Sequence, residues 1–478
     1  MKPPVSILAF SVGLALATSC ACAQEKLTRE LGLQRSATAN TPSPASKTAL
    51  ATELSASSAP GAALRSTMLP TTATATPAAA MGPALTLRSL LASASANNPA
   101  LMAVRLESRA SAEQIVAAER HRWPSISAVV ETKSSMSSAS SRFLRIQQSL
   151  WDGGRKSAKI DEAKTLSDIS MTNIELQRQD LFIQVVTVWQ NLAGAQARIR
   201  VSESALKRLL AYQAQMTRRV DAQASPAIDL ELINARLLQT QVELVTAKHS
   251  QQLALVQLEQ LTVTTGLMHR VNLLETPPTV ESTQSFVTAL SAVNWESVAG
   301  ESPGVAKARF EVTLSRNRLD ARRADKWPEL YARVDQPIGS SNGAGNSKAA
   351  AFIGLNYAPG AGFASFSEEQ AQAIRVDSQE QTLVSAVRSI QSTLLNDRLD
   401  FINARARIVS LDKSVSGSSL VLESYQRQFQ AGRKTWQDLL NAVRELAQNE
   451  YAAAEAQAVM QGAMNRLEIR MGQNPHFP

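Results

Sequence analysis

The residues from which catalytic and metal sites are usually built are present in this chain, but their spacing assembles none. His121, His249, His269 and His476 are scattered with no H-x-x-x-H pair, so they read as solvated or capping side chains rather than metal ligands. Cys20 and Cys22 both fall in the first two dozen residues. Asp152-Gly153-Gly154 could be taken for a cation loop, but a strand-to-helix turn explains it better. No phosphate-binding glycine loop, G-x-S-x-G elbow or acid pair in a plausible cleft is found, so neither an enzyme nor a bound cofactor or metal is expected. What remains is a set of charges in two stretches of alternating polarity: Glu131, Arg145, Arg333 and Asp335. Charges on one face of a strand and apolar residues on the other can line a conduit.

The elements that carry those charges depart from the rest of the chain. From Trp123 to Gly154, Ile126, Ala128 and Val130 alternate with Ser127, Val129 and Glu131, and Leu144, Ile146 and Leu150 alternate with Arg145, Gln147 and Ser149. Each segment is about 10 residues long, the span of a membrane-crossing β-strand. The stretch from Trp327 to Gly362 repeats the arrangement around a Gly/Ser/Asn loop from Gly339 to Ser347. Two hairpins, 124–151 and 329–358, are expected. Trp123 and Trp327 are either interfacial anchors or packing residues where helix meets strand.

Around the hairpins the pattern is helical. Asn98-Pro99 opens a helix running through Ala103, Leu106, Ile115 and Ala118 to Arg122, stopped by Trp123-Pro124. After the first hairpin, Leu181, Val185, Val188, Leu192, Ala195 and Ile199 alternate spacings of four and three and continue through Leu206, Leu209, Met216 and Val220. This is a heptad seam, and about 65 residues of it make a rod of roughly 100 Å. A break at Ala224-Ser225-Pro226 turns the chain into a return helix through Leu230, Ile233, Leu237, Leu244, Ala254, Leu258 and Leu261. At a constant offset of 204, Pro99 matches Pro303, Arg105 matches Arg309, Trp123 matches Trp327 and Val130 matches Val334. Tyr212-Gln213 resembles Tyr425-Gln426, and Asp229-Leu230 resembles Asp438-Leu439. The chain reads as a tandem duplication: a first repeat over 84–270 with its tip near 225, a connector over 271–300, a second repeat over 301–472 with its tip near 432, and a tail over 473–478.

Composition agrees with a helical, exported chain. The 478 residues are 44% hydrophobic and only 5% aromatic, which suits helical bundles. Lys2, an apolar run from Val5 to Ala17 and Ala21-Cys22-Ala23 read as a signal peptide over 1–23, cut after Ala23, leaving a mature chain without cysteine. A lipoprotein signal at Cys20 or Cys22 competes, but neither has a good leucine three residues upstream. Residues 24–83 are Ala/Ser/Thr/Pro-rich and are expected to be a disordered leader. No later stretch approaches about 18 consecutive apolar residues, so no membrane-spanning helix is expected beyond the signal. The formal charge of +8 is spread along helices that also carry acids, which argues against nucleic acid.

Four strands cannot close a barrel, and open edges do not survive in hydrocarbon. Long helices with apolar seams also need neighbours on both sides. Both needs are met by a ring of identical subunits, an α+β fold in which a β-barrel continues into an α-helical tube. The rival reading is an exported coiled-coil scaffold that binds proteins without forming a pore.

The repeated W-P before a strand, L-W-D-G-G at Leu150 to Gly154, the opening from Leu85 to Pro99, and F-Q-A-G-R-K-T-W-Q-D-L-L-N-A from Phe429 to Ala442 resemble the TolC-like outer-membrane efflux family. The resemblance covers about Leu85 to Gly472. It implies a homotrimer with a twelve-stranded transmembrane barrel and a periplasmic α-barrel that closes at the helix tips. It also implies a periplasmic adaptor and an inner-membrane transporter of the ABC or RND type as partners, in type I secretion or small-molecule efflux, and a passive exit duct with porin activity in the outer-membrane lipid. By the same resemblance Lys434, Asp438 and Asn441 match the positions that hold the aperture shut and line it, and Phe429 stands where a tyrosine is common. Asn441 departs from the family's second acidic position. Asp229 is the corresponding candidate at the first tip. The alternative for both aspartates is a carboxylate offsetting a helix macrodipole.

Overall fold

The computed structural model describes residues 85–132, 140–267, 278–338 and 348–472. The expected signal peptide and leader, His269, the loop from Gly339 to Ser347, and the tail with His476 lie outside the described residues. The chain opens with α1 (Leu87–Asn97) and α2 (Pro99–Arg120), enters β1 (Ser125–Thr132) and β2 (Ser140–Trp151), and continues into α3 (Arg155–Asp221) and α4 (Ala227–Thr262). Two short helices, α5 (Gln284–Ser291) and α6 (Trp295–Glu301), precede α7 (Pro303–Ala324), β3 (Glu329–Pro337), β4 (Ala350–Asn356), α8 (Ala364–Gln430) and α9 (Trp436–Arg470).

Element lengths carry the internal symmetry. Helices α2 and α7 each have 22 residues, and α3 and α8 each have 67, about 100 Å of helix. Both 22-residue helices start with proline in the first turn behind a side-chain cap, Asn98 in one and Ser302 in the other. The long helices and the tips that follow are related by an offset of 209 instead of 204, because the two hairpin loops differ in length. Asp229 therefore does correspond to Asp438. Tyr212, however, corresponds to Val421, so the likeness of Tyr212-Gln213 to Tyr425-Gln426 is one helical turn out of register.

The strands form one antiparallel sheet in the order β1-β2-β3-β4. Ile126 pairs with Ile146, Ile146 with Val334 and Val334 with Ala351, so one apolar row crosses all four strands. On this face Ile126, Val130, Ile353 and Leu355 are 65–77% exposed. Leu150, expected to continue the alternation, is the unpaired residue of a bulge, because Ser149 pairs with Tyr331 and Trp151 with Leu330. The bulge places Trp151 on the apolar face, opposite Leu330. Asp152 then closes the strand: its carboxylate accepts from the Gly154 and Lys156 N–H groups at 3.0 and 2.9 Å and so caps α3. Gly153, at φ +66°, lies so close to Trp327 that an added Cβ would come within 2.8 Å of the tryptophan Cβ.

Helices form a layer that keeps α3 and α8 throughout its length. Near the sheet the order of packing is α2, α3, α7, α8; farther away it is α4, α3, α9, α8. The seam of α3 is buried at Leu181, Val185, Leu192, Ala195, Ile199, Leu209 and Met216, as the heptad spacing predicts. In α2 the helix runs as expected, but its apolar residues do not form a buried seam. Leu101, Ser108 and Ser111 are buried while Met102, Leu106 and Val116 are exposed, because among the described residues α2 packs chiefly on one neighbour, α3. One ionic cluster ties α8 to α9: Asp397 sits 2.9 Å from both Arg466 Nε and Arg470 Nε, and Arg466 Nη1 donates to Gln190 Oε1 of α3 at 2.9 Å. Gln190 reaches it over Gly462, where a Cβ would collide with the amide.

Candidate functional site

The expected site residues gather in two places, at opposite ends of α3 and α8. In the sheet, Arg145 and Asp335 are direct cross-strand partners, and the guanidinium donates to the carboxylate through Nε at 2.9 Å and Nη2 at 3.3 Å. Arg333, two residues along β3, forms an ion pair with the same carboxylate at 3.2 Å. Each arginine also lies over a ring on the same face, Arg145 over Phe143 at 4.9 Å and Arg333 over Phe352 at 4.8 Å. Glu131 pairs with Ser141 in the backbone register, and its side chain lies outside the described residues. The polar face is therefore a network in which one carboxylate holds two guanidinium groups and stitches β2 of the first repeat to β3 of the second. Tyr331 packs on the same face against Gly354, where a Cβ would come within 2.5 Å of the ring.

At the other end, α8 turns into α9 through a tight cap. Arg433 N–H donates to the Gln428 carbonyl at 2.9 Å and Gly432 N–H to that of Phe429 at 3.1 Å, with Gly432 at φ +70°. Thr435 then caps α9. Its hydroxyl accepts from Asp438 N–H at 3.2 Å, and the Asp438 carboxylate accepts from Thr435 N–H at 3.2 Å, completing a capping box. The Thr435 hydroxyl donates to the same carboxylate oxygen at 2.8 Å, and Lys434 Nζ stands 4.0 Å away. These hydrogen bonds, aided by the lysine charge, hold the Asp438 carboxyl below its usual range. Lys434 also lies 4.4 Å over the Tyr425 ring.

The remaining tip candidates are placed differently. Phe429 is buried against Trp436, with ring centroids 5.2 Å apart and the Arg219 guanidinium 4.9 Å from its own. Asn441 follows Asp438 on the same side of α9. Asp229 joins the second tip through its backbone, since Trp436 Nε1 donates to its carbonyl at 3.0 Å. Sequence reasoning missed Trp436 as the residue joining the two tips; its place directly after the Thr435 cap was the available signal. It also missed the polar contact deeper in the layer, where Tyr451 meets the buried Ser202 hydroxyl at 2.7 Å and burial pushes the phenol up to about 12.

Residues 90–263 match the family model described as outer membrane efflux protein. The chain resembles the outer membrane efflux proteins. That match covers α2, the first hairpin, α3 and α4, which carry Arg145 of the sheet network and Asp229 of the first tip. Solved structures extend the resemblance to the whole fold. A membrane protein from Pseudomonas aeruginosa superposes with a TM-score of 0.68 at 19% identity, over 80% of this chain and 90% of that one. The open state of the MtrE outer membrane channel of Neisseria gonorrhoeae gives 0.66 at 16%, over 81% and 88%. The outer membrane protein VceC of Vibrio cholerae gives 0.65 at 16%, over 81% and 96%. No curated protein matches the chain. At these identities the structural likeness establishes the fold, a mostly helical chain with a small antiparallel sheet, as in the outer-membrane efflux channels.

Proposed function

We propose that the chain is the outer-membrane exit duct of a tripartite export system. Three copies pool their strands into a twelve-stranded barrel and their helices into a periplasmic tube. A periplasmic adaptor and an inner-membrane transporter supply the substrate and the energy, and the duct conducts passively. The observation that carries this reading is that every level of the subunit ends in two unsatisfied edges of different kind. The sheet ends in β1 and β4, with an exposed apolar face between them. The upper helix layer ends in α2 and α8, and the lower in α4 and α8.

The lower edges carry exposed apolar stripes at heptad spacing, Leu238, Val242 and Val245 on α4 and Leu395, Leu399, Ile402 and Val409 on α8. Burying such a side chain contributes about 1.5–3 kcal/mol. A first-repeat edge that meets a second-repeat edge of the next copy is a head-to-tail contact, which gives a ring when the rotation between copies closes, here at three. In that ring Arg145, Arg333, Asp335 and Glu131 line the barrel, and Asp438, Lys434, Asn441 and Asp229 stand at the aperture.

The experiment follows from the helix lengths. Leu238 lies 11 residues after the start of α4 and Leu420 lies 10 before the end of α8, so both stand about 15 Å from the tips. Leu238→Cys with Leu420→Cys in one chain is expected to crosslink between copies into a ladder that stops at the closed trimer. Crosslinks confined within one chain, or none, would favour the scaffold without a pore.

A further inference from the structure

Between α3, α7 and α8, just below the sheet, lies a cleft of about 860 Å³. We propose that it holds the phosphate group of an anionic membrane lipid from the periplasmic leaflet. The inference rests on the channel reading, because it needs the sheet to sit in a bilayer. It goes beyond that reading in assigning a ligand to residues that neither conduct nor gate.

Position is the first argument. The segments that wall the cleft are the same ones that carry the tryptophans at the end of the sheet. Trp151 precedes Arg155 by four residues and Trp327 follows Asp325 by two, and the two rings meet edge-on with centroids 6.2 Å apart. Both rings are about half exposed, and Trp123, in the repeat-equivalent position of Trp327, is 74% exposed. Exposed tryptophans at the end of an apolar strand face mark the headgroup level. Directly beneath this pair, Arg155 Nε meets Asp325 Oδ1 at 2.9 Å.

Charge is the second. Five cations and three carboxylates line the cleft. Asp325 neutralises Arg155, Glu162 neutralises Arg318 at 2.7 Å, and Glu368 neutralises Arg322 at 2.7 Å from outside the cleft, while Glu311 turns to Lys307 at 4.0 Å. Among the described residues Lys159 and Arg375 have no carboxylate partner; the Arg375 contact is the Gln372 amide oxygen at 3.1 Å. Lys159 is one turn below Arg155, about 6 Å farther from the membrane, within reach of a phosphate held under the tryptophans. Arg375, on the far wall, adds field rather than contact. The N-terminus of α3 is already occupied by Asp152, so the attraction comes from side-chain cations.

The test uses the purified full-length protein in nanodiscs of phosphatidylcholine containing a minor fraction of phosphatidylglycerol, with retained lipid counted by native mass spectrometry. The native protein is expected to retain phosphatidylglycerol over phosphatidylcholine. Lys159→Gln is expected to lower that preference about fivefold, the effect of one cation near a membrane surface, and Lys159→Gln with Arg375→Gln to lower it further. Equal retention of the two lipids, or a preference untouched by either variant, would overturn the site. Displacement of the retained lipid by millimolar inorganic phosphate would overturn the lipid assignment in favour of a free anion. Insertion into the bilayer is scored separately, since a protein that inserts without headgroup preference loses only this site, whereas one that does not insert loses the channel reading as well.

Discussion

Gln223 and Gly432 occupy the same position in the two tips and make the same backbone hydrogen bonds, yet only one of them suits it. Each residue lies in left-handed backbone, Gln223 at φ +55° and Gly432 at +70°, where a side chain is costly. Gln223→Gly is expected to raise stability by about 0.5–1 kcal/mol, and a lowered melting midpoint in calorimetry would contradict this. Asp438 presents the opposite case, a side chain with more partners than sequence suggested. Its carboxyl is held below the ordinary value by Thr435 and Lys434, so its contribution is complete above the unfolded value near 3.9 and is lost as pH falls through the lower folded value. Amide exchange at the start of α9 is therefore expected to stay protected down to about pH 4 and to open below it; opening centred near pH 5 would contradict the assignment. Sequence reasoning placed a carboxylate at the start of α9 without its Thr435 partner, and the contact of Trp436 with the Asp229 carbonyl was not legible, because nothing local to either residue encodes a partner 207 positions away.

At the scale of elements, the strands, the long helices and their tips were legible because each has a period that its own residues impose. Alternation marks β1 to β4 and heptads mark α3 and α4, whereas the bulge at Leu150 obeys neither pattern and emerged only from the pairing of β2 with β3. Helix α1, from Leu87 to Asn97, and the connector helices α5 and α6 are short, and their helical signal is correspondingly weak. Packing between helices was least legible. Asp397 is a nearly buried carboxylate between Arg466 and Arg470, and nothing in the spacing of these residues marks them as partners. Replacing it with alanine leaves two guanidinium groups without their counter-charge in the packed layer. Asp397→Ala is expected to cost about 3 kcal/mol in unfolding experiments, and a loss below about 1 kcal/mol would show the cluster to be solvated.

For the whole molecule, one geometric fact governs the rest: the first repeat exposes one kind of edge and the second repeat another, from the sheet to the tips. The need for neighbours could be read from the sequence, since four strands cannot close and a 67-residue helix with an apolar seam is not a stable object alone. The seam spacing marked Leu237 as inward, but that Leu238, Val242 and Val245 form a second, exposed apolar stripe emerged only from the packing of α4 on α3. The same limit applied to the charges. Arg145, Arg333 and Asp335 were singled out by alternation, but their convergence on one carboxylate depends on the register between the two hairpins. At the second tip, Asp438→Ala would separate the observed cap from the proposed gate, since a gating role raises conductance and a capping role alone leaves it unchanged. Whether several copies build a hollow cylinder is decided by single-channel recording of the purified protein in planar lipid bilayers. A hollow cylinder gives discrete, uniform conductance steps; a protein that adds to the bilayer without current, or stays in solution as a monomer, is not one.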